Sequence, residues 1–282
     1  MANEQKEFYL DELWPRKPLR IDNGLRSHMS WQRWLAEHPG YMHAEGTMIY
    51  CGPQGAGKTL SAVRYLMALM HRYPKAVVCT NIELTDYPFN AHLDSESPGG
   101  WKYDNEGGNL FGRAKRPVVE YSGLECLKEL SNGYEGVIYL IDELHLELNS
   151  LESKNIDIDV IVEISQQRKQ RKHIIGTSQV FMRLAKPVRE QVRDVVLCKC
   201  YFKRYQVNKW IDGETAVEKD GKLEAEIKKK SWFWHTPEMY HAYNTYAKMK
   251  RYNQEWQGRA RTESLYSSDG KQPIQARRKV NS

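Results

Sequence analysis

No apolar run in this sequence approaches the length that a lipid bilayer demands. Continuous stretches such as Val137 to Ile141 hold only a few residues, against the ~20 of a membrane-spanning helix, so the chain is expected to be soluble. There is no CxxC pair and no signal-peptide pattern to place the 5 cysteines in an oxidising compartment. Cys51, Cys79, Cys126, Cys198 and Cys200 are therefore expected to be reduced and mostly buried. Cys198 and Cys200 would share one face of a strand, which leaves a two-ligand metal clip open beside a plain core role. A strong overall charge is missing too: 42 Lys and Arg against 36 Asp and Glu give +6, too small a surplus to identify a nucleic-acid binder. Its distribution says more. Residues 201–282 hold 17 basic and 10 acidic side chains, while the first 200 hold 25 and 26, so the positive field belongs to the C-terminal part.

What is present organises into one α/β core with appendages, as 282 residues with 40% hydrophobic content allow. Residues 1–45 carry Trp14, Trp31 and Trp34 without a long period and read as an N-terminal arm or as short helices packed on another surface. Thr47 to Cys51 is a short β-type run that feeds a glycine-rich loop, after which Leu60, Val63, Met67 and Met70 recur at helical spacing as far as Tyr73-Pro74. Ala76 to Ile82 reads as a buried strand, followed by roughly thirty polar residues taken as an inserted loop. Ser122-Gly123-Leu124-Glu125 has capping-box spacing ahead of a helix that Asn132-Gly133 stops. Gly136 to Asp142 is too continuously apolar for an exposed strand and should be central in a parallel sheet. Val160, Ile161 and Ile164 give a further helical face, and His173–Ser178 and Asp194–Cys198 two further strands. Strands alternating with helices predict a doubly wound, mostly parallel sheet over a core at 46–206. The remainder, 207–282, is expected to be a basic extension: a β-meander turning at Asp212-Gly213 and Asp220-Gly221, a helix from Thr236-Pro237 to about Lys250, and a disordered tail.

The chemistry concentrates at Gly52-Pro53-Gln54-Gly55-Ala56-Gly57-Lys58-Thr59, which meets the phosphate-loop pattern GxxxxGK[ST] at every specified position and stands between a strand and a helix. Its glycines let backbone N–H groups turn toward phosphate oxygens, and the helix starting near Lys58 adds its partial positive end. With Leu60, these residues form the candidate ATP-binding set. Lys58 is expected to meet the β- and γ-phosphates and the Thr59 hydroxyl to bind Mg²⁺. An apolar strand ending in Asp142-Glu143 supplies the other half: Asp142 for the Mg²⁺ shell, Glu143 to orient and deprotonate water. Gln179 closes the strand that begins at His173 and is placed to contact the γ-phosphate or the attacking water.

These residues resemble the FtsK-HerA type of P-loop motor ATPase, and within it the zonular-occludens-toxin-like and viral genome-packaging branch, over about residues 46–200. The resemblance rests on the phosphate loop, on Thr80-Asn81-Ile82, on Asp142-Glu143, and above all on Arg168 standing eleven positions before Gln179. Gln179 is followed by Val180-Phe181, where the DNA-pumping branch has Arg-Pro. The resemblance implies a RecA-like fold and a homo-oligomeric ring, most commonly a hexamer. It also implies ATP hydrolysis that moves DNA in genome packaging, DNA transfer or phage assembly, with Arg168 reaching a neighbouring subunit's γ-phosphate as an arginine finger. Viral capsid or other DNA-processing proteins would be partners, in a host cytoplasm or with a virion. A P-loop kinase and a nucleotide-gated scaffold are the alternatives. Lys228-Lys229-Lys230 beside Trp232 and Trp234, and Arg277-Arg278-Lys279, are candidate DNA contacts, against the plain reading of solvated charge and a packed Trp pair.

Overall fold

The residues at 47–51, 77–80 and 137–141 are buried along their whole length because they are interior strands of one sheet covered on both faces. The computed structural model describes residues 21–38, 40–104, 116–219 and 222–244. In chain order its elements are α1 (Ile21–Glu37), β1 (Thr47–Cys51), α2 (Lys58–Arg72), β2 (Val77–Thr80), β3 (Ala91–Leu93), β4 (Trp101–Tyr103), β5 (Val118–Glu120) and α3 (Glu125–Glu129). They continue as β6 (Val137–Ile141), α4 (Ile158–Gln166), β7 (Lys172–Ser178), α5 (Lys186–Arg189), β8 (Val192–Tyr201), β9 (Tyr205–Asp212), β10 (Val217–Lys219), β11 (Lys222–Glu224), β12 (Ile227–Trp234) and α6 (Pro237–His241). The helix expected from Thr236-Pro237 to about Lys250 stops at His241, because Tyr243 pairs with Leu84 as an antiparallel β-bridge and draws the chain out of helical geometry. Trp14 and the Arg277-Arg278-Lys279 cluster lie outside the described residues.

The ten-stranded sheet has the order β12-β9-β8-β1-β7-β6-β2-β5-β3-β4. From β8 to β3 every pairing is parallel, while β9, β12 and β4 join antiparallel. On one face, Leu60, Val63, Leu66 and Met70 of α2 pack on Tyr50, Ile138, Ile175 and Val196. On the other, Cys126, Leu127, Val160 and Ile164 of α3 and α4 pack on Ile49, Val77, Tyr139 and Ile174. This is a doubly wound α/β fold on a mostly parallel sheet.

Three local expectations are corrected. The polar stretch after Ile82 holds β3 and β4, because Asn90 anchors it to the sheet: its Nδ2 donates to the Arg116 carbonyl and its Oδ1 accepts from the Val118 amide, each at 2.8 Å. Ser122 does not close a capping box, since its hydroxyl lies 3.3 Å from Cys126 Sγ and the helix begins after Leu124. The C-terminal strands are not a self-contained meander. β9 pairs with both β8 and β12 and so widens the main sheet, and only β10 and β11 form a separate ribbon. The boundary expected at 206/207 thus falls inside β9. The Asp-Gly signals are purely local, whereas the long free edge of β8 could be satisfied only by another strand.

All five cysteines are free thiols, four of them buried. Burial pushes the Cys198 thiol up to about 12 and raises Cys200 as well.

His173 on β7 gives the core a pH dependence. It is 2% exposed, and burial lowers its pKa to about 4, with Arg193 adding to the shift. The unfolded imidazole, near 6.5, binds a proton that the folded one refuses, so stability falls as pH drops from about 6.5 toward about 4. Full loss is worth about 3 kcal/mol, at 1.36 kcal/mol per unit. Urea unfolding at pH 7 and pH 4.5 is expected to show this slope, and His173→Leu to flatten it by most of that amount. An equal slope in the variant assigns the pH dependence to other groups.

Candidate nucleotide site

The carboxyl edge of the sheet brings four strand ends together. β1 and β7 are in register with Cys51 beside Ser178, β7 and β6 with Gly176 beside Ile141, and β6 and β2 with Leu140 beside Thr80. The phosphate loop, Thr177 to Gln179, Asp142-Glu143 and Asn81 therefore emerge side by side.

Gly55 and Gly57 both have φ 76°, the left-handed region that turns successive amides inward. Gly57 caps α2, whose first residue is Lys58. Lys58 is 7% exposed, and its Nζ donates to the Pro53 carbonyl at 3.2 Å, within the loop. Thr59 Oγ1 donates to Asp142 Oδ1 at 2.9 Å, and Thr177 Oγ1 donates to the same oxygen at 2.6 Å. Asn81 clamps the Asp142 peptide from both sides: its Oδ1 accepts from the Asp142 amide at 2.8 Å and its Nδ2 donates to the Asp142 carbonyl at 3.1 Å. Asp142 is thus fixed in backbone and side chain.

Glu143 is held in an unusual backbone state, φ 52° and ψ 42°, with its amide donating to Thr177 Oγ1 at 2.8 Å. A non-glycine residue in this region costs on the order of 1 kcal/mol or more, and such strain clusters at functional sites. Burial raises the Glu143 pKa, and the Asp142 carboxylate adds to the rise. Lys58, a hydrogen bond from Gln179 and the charge of Arg183 oppose it. His145, buried, places Nδ1 3.2 Å from Glu143 Oε2.

The structure therefore brings Lys58, Thr59, Asp142, Glu143 and Gln179 to one place. Arg168 stands apart from them. It is exposed in the turn after α4, and its side chain lies beside Gly46, just before β1 begins. Five strand residues at ~3.3 Å each put that amino edge about 17 Å from the phosphate loop of the same chain. Arg171, in the same turn, has its guanidinium 4.9 Å from the Tyr41 ring centre.

Several site residues were not anticipated from sequence. Thr177, His145 and Arg183 carry no recognisable motif, and Asn81 stands out in the sequence only within Thr80-Asn81-Ile82, one of the features behind the family resemblance. Gln206 on β9 is the most distant in sequence. Fully buried, it donates from Nε2 to the Ala56 carbonyl at 3.0 Å and to Asn208 Oδ1 at 2.8 Å, and a Cβ on Gly57 would overlap its carboxamide. Its Oε1 lies 3.1 Å from His235 Nε2, and His235 Nδ1 lies 2.7 Å from the Tyr240 hydroxyl. An amide oxygen only accepts, so the His235 proton sits on Nε2 and Nδ1 accepts from Tyr240. Burial lowers the His235 pKa, in keeping with that neutral ring. The phosphate loop is braced through this chain by β9, β12 and α6.

The donor set fits a divalent cation of the Mg²⁺ class: a hydroxyl and a carboxylate, Thr59 and Asp142, already converge at 2.9 Å beside the left-handed glycines of the loop. No helix among the described residues is long and apolar enough to cross a membrane.

No family model matches the chain, and no curated protein does. Among solved structures, the N-terminal domain of zonular occludens toxin from Neisseria meningitidis is 14% identical, with 71% of this chain and 98% of that one covered at a TM-score of 0.46. The genome packaging NTPase B204 from Sulfolobus turreted icosahedral virus 2, in complex with ATP-gammaS, is 14% identical over 65% of this chain and 96% of its own, at 0.40. The ATPase domain of G40P is 12% identical over 80% and 99%, at 0.43.

Proposed function

We propose that this chain is an ATPase that drives the movement of DNA as a homo-oligomeric ring, in genome packaging or DNA transfer. The observation that carries the hydrolytic part is the linked set Thr59–Asp142–Thr177–Glu143 at the mouth of the phosphate loop. In this reading the loop amides and Lys58 hold the β- and γ-phosphates, and Thr59 and Asp142 hold Mg²⁺, which supplies charge neutralisation of the phosphates when bound. Glu143 accepts the proton of the attacking water as its oxygen bonds to the γ-phosphorus and the bond to the bridging oxygen breaks. A carboxylate whose pKa is raised by burial is a better base near neutral pH than an ordinary one. Gln179, bonded to Glu143, keeps that carboxylate aimed and is placed to register whether a γ-phosphate is present.

Support for DNA as the cargo comes from the Arg168-to-Gln179 spacing and from the positive balance after residue 200. The test is steady-state phosphate release with and without DNA. A motor is expected to be stimulated by DNA. Release that depends instead on a small acceptor identifies a kinase, and near silence a nucleotide-gated scaffold; either result overturns the proposal.

A further inference from the structure

The outer face of the β8–β9–β12 ribbon is unlike the rest of the surface. Strand register fixes which residues share it: Tyr201 pairs with Tyr205 and Tyr205 with Trp234, Lys199 with Val207 and Val207 with Trp232, and Lys209 with Lys230. Alternation puts all of them on one side, while Gln206, Asn208 and Phe233 point to the other, toward the phosphate loop and α2. The aromatic residues are wet rather than packed away, Trp232 at 68% and Trp234 at 57% exposure. Tyr205 lies between them, 6.2 Å from the Trp232 ring centre and 5.0 Å from that of Trp234.

Two features of this face have no structural benefit of their own. Lys209 and Lys230 stand directly opposite each other across an antiparallel pair, a like-charge arrangement that destabilises a sheet. Leu197, Val207 and Trp232 surround them, and no acidic residue occupies this face among residues 197–201, 205–209 and 230–234. The hairpin joining β8 to β9 then turns through Phe202 and Lys203 with φ of 50° and 61°, a turn that normally takes Asn-Gly. Phe202 at its tip is 87% exposed. An anionic ligand would offset the Lys209–Lys230 repulsion, and strained backbone clusters at functional sites.

We propose that this face binds single-stranded nucleic acid, with bases stacking on Tyr205, Trp232 and Trp234 and the phosphate chain following Lys199, Lys209 and Lys230. It names the cargo contact of the translocase and to that extent rests on that reading. Trp232 and Trp234 are two residues apart on one strand, about 6.8 Å, roughly twice the ~3.4 Å rise of a stacked DNA strand. That spacing suits bases drawn apart and held one per ring, which paired bases within a duplex cannot do. β9 also ties this face to catalysis: Gln206, bonded to the phosphate loop, stands between Tyr205 and Val207 of the platform.

The test is fluorescence anisotropy of the full chain, without nucleotide, on a labelled oligothymidylate of about 15 nucleotides and on a blunt duplex of equal length. Wild type is expected to prefer the single strand. Trp232→Ala and Trp234→Ala should each weaken it roughly five- to 150-fold, and Lys209→Gln with Lys230→Gln should flatten the log–log salt slope by about 1.4. Single-strand affinity and slope unchanged in all these variants overturn the proposal, as does equal or tighter duplex binding by wild type. Tryptophan variants that alter sedimentation while oligonucleotide binding stays intact make this face a protein interface instead, and also overturn it. Basal phosphate release separates the two readings. A chain that binds the strand through these residues but does not hydrolyse ATP sinks the ATPase and spares the platform, and the converse result does the opposite.

Discussion

Glu143→Gln is expected to leave nucleotide binding intact and to stop hydrolysis, whereas Lys58→Ala is expected to abolish binding itself. The two residues stand close enough for the Lys58 charge to be felt at Glu143, yet they act at different stages. Lys58, nearly buried in its loop, meets phosphate oxygens in the ground state. Glu143 meets only the water that attacks. The amide of the Gln variant keeps the volume and the contact with Gln179 but has lost the basic oxygen, and removing a general base typically costs ~10² to 10⁴ in rate. Binding of a fluorescent ATP analogue, followed alongside phosphate release, separates the two effects. Turnover in Glu143→Gln near the wild-type value would sink the role assigned to that carboxylate and turn attention to His145, whose Nδ1 lies 3.2 Å from it.

The parallel half of the sheet was legible because its strands are continuous apolar runs punctuated by helices with clean periodicity. The phosphate loop was legible because its chemistry demands glycines and a lysine at fixed spacing. What stayed hidden is long-range. Nothing local to Gln206 says that it will brace Ala56, 150 residues away. Thr177 reads as an ordinary strand residue until register sets it beside Asp142. The polar stretch after Ile82 looked like a loop because β3 and β4 are only 3 residues each, too short to show a period, and depend on Asn90 for their place. The C-terminal strands misled in the opposite way. Asp-Gly pairs are strong hairpin signals, but at Asp212-Gly213 the Asp212 side chain accepts from the Glu214 amide at 2.9 Å and the chain turns out of the sheet. The partner of β9 is β12, beyond the ribbon. The same register gives Lys228 its meaning: its Nζ lies 3.0 Å from both Asp194 and Asp212, so it is a structural tie and no candidate for phosphate contact.

Arg168→Ala is expected to silence hydrolysis while leaving ATP binding nearly intact, and the loss is expected to be complemented by a second inactive variant. The reason is positional. Arg168 lies at the amino edge of the sheet beside Gly46, the phosphate loop at the carboxyl edge, so this guanidinium does not serve its own nucleotide. Head-to-tail interfaces can close into rings, and in the proposed ring one that set the amino edge of one subunit against the carboxyl edge of the next would bring Arg168 to the neighbour's nucleotide. Of the two arginines in the turn, Arg171 lies over the Tyr41 ring and Arg168 is exposed. Arginine fingers contribute roughly 10³ to 10⁵ in rate, and a charge arriving from a neighbour makes activity rise more than linearly with protein concentration. The competing source is Arg183, whose charge already bears on Glu143 within one chain and would leave activity linear. Mixing Arg168→Ala with Lys58→Ala subunits decides between them. At a mixed interface one subunit offers an intact loop and the other an intact Arg168, so phosphate release is expected to return on mixing. No recovery in rings shown to contain both subunits, together with linear activity in wild type, would assign the charge to Arg183 and leave Arg168 a solvated turn.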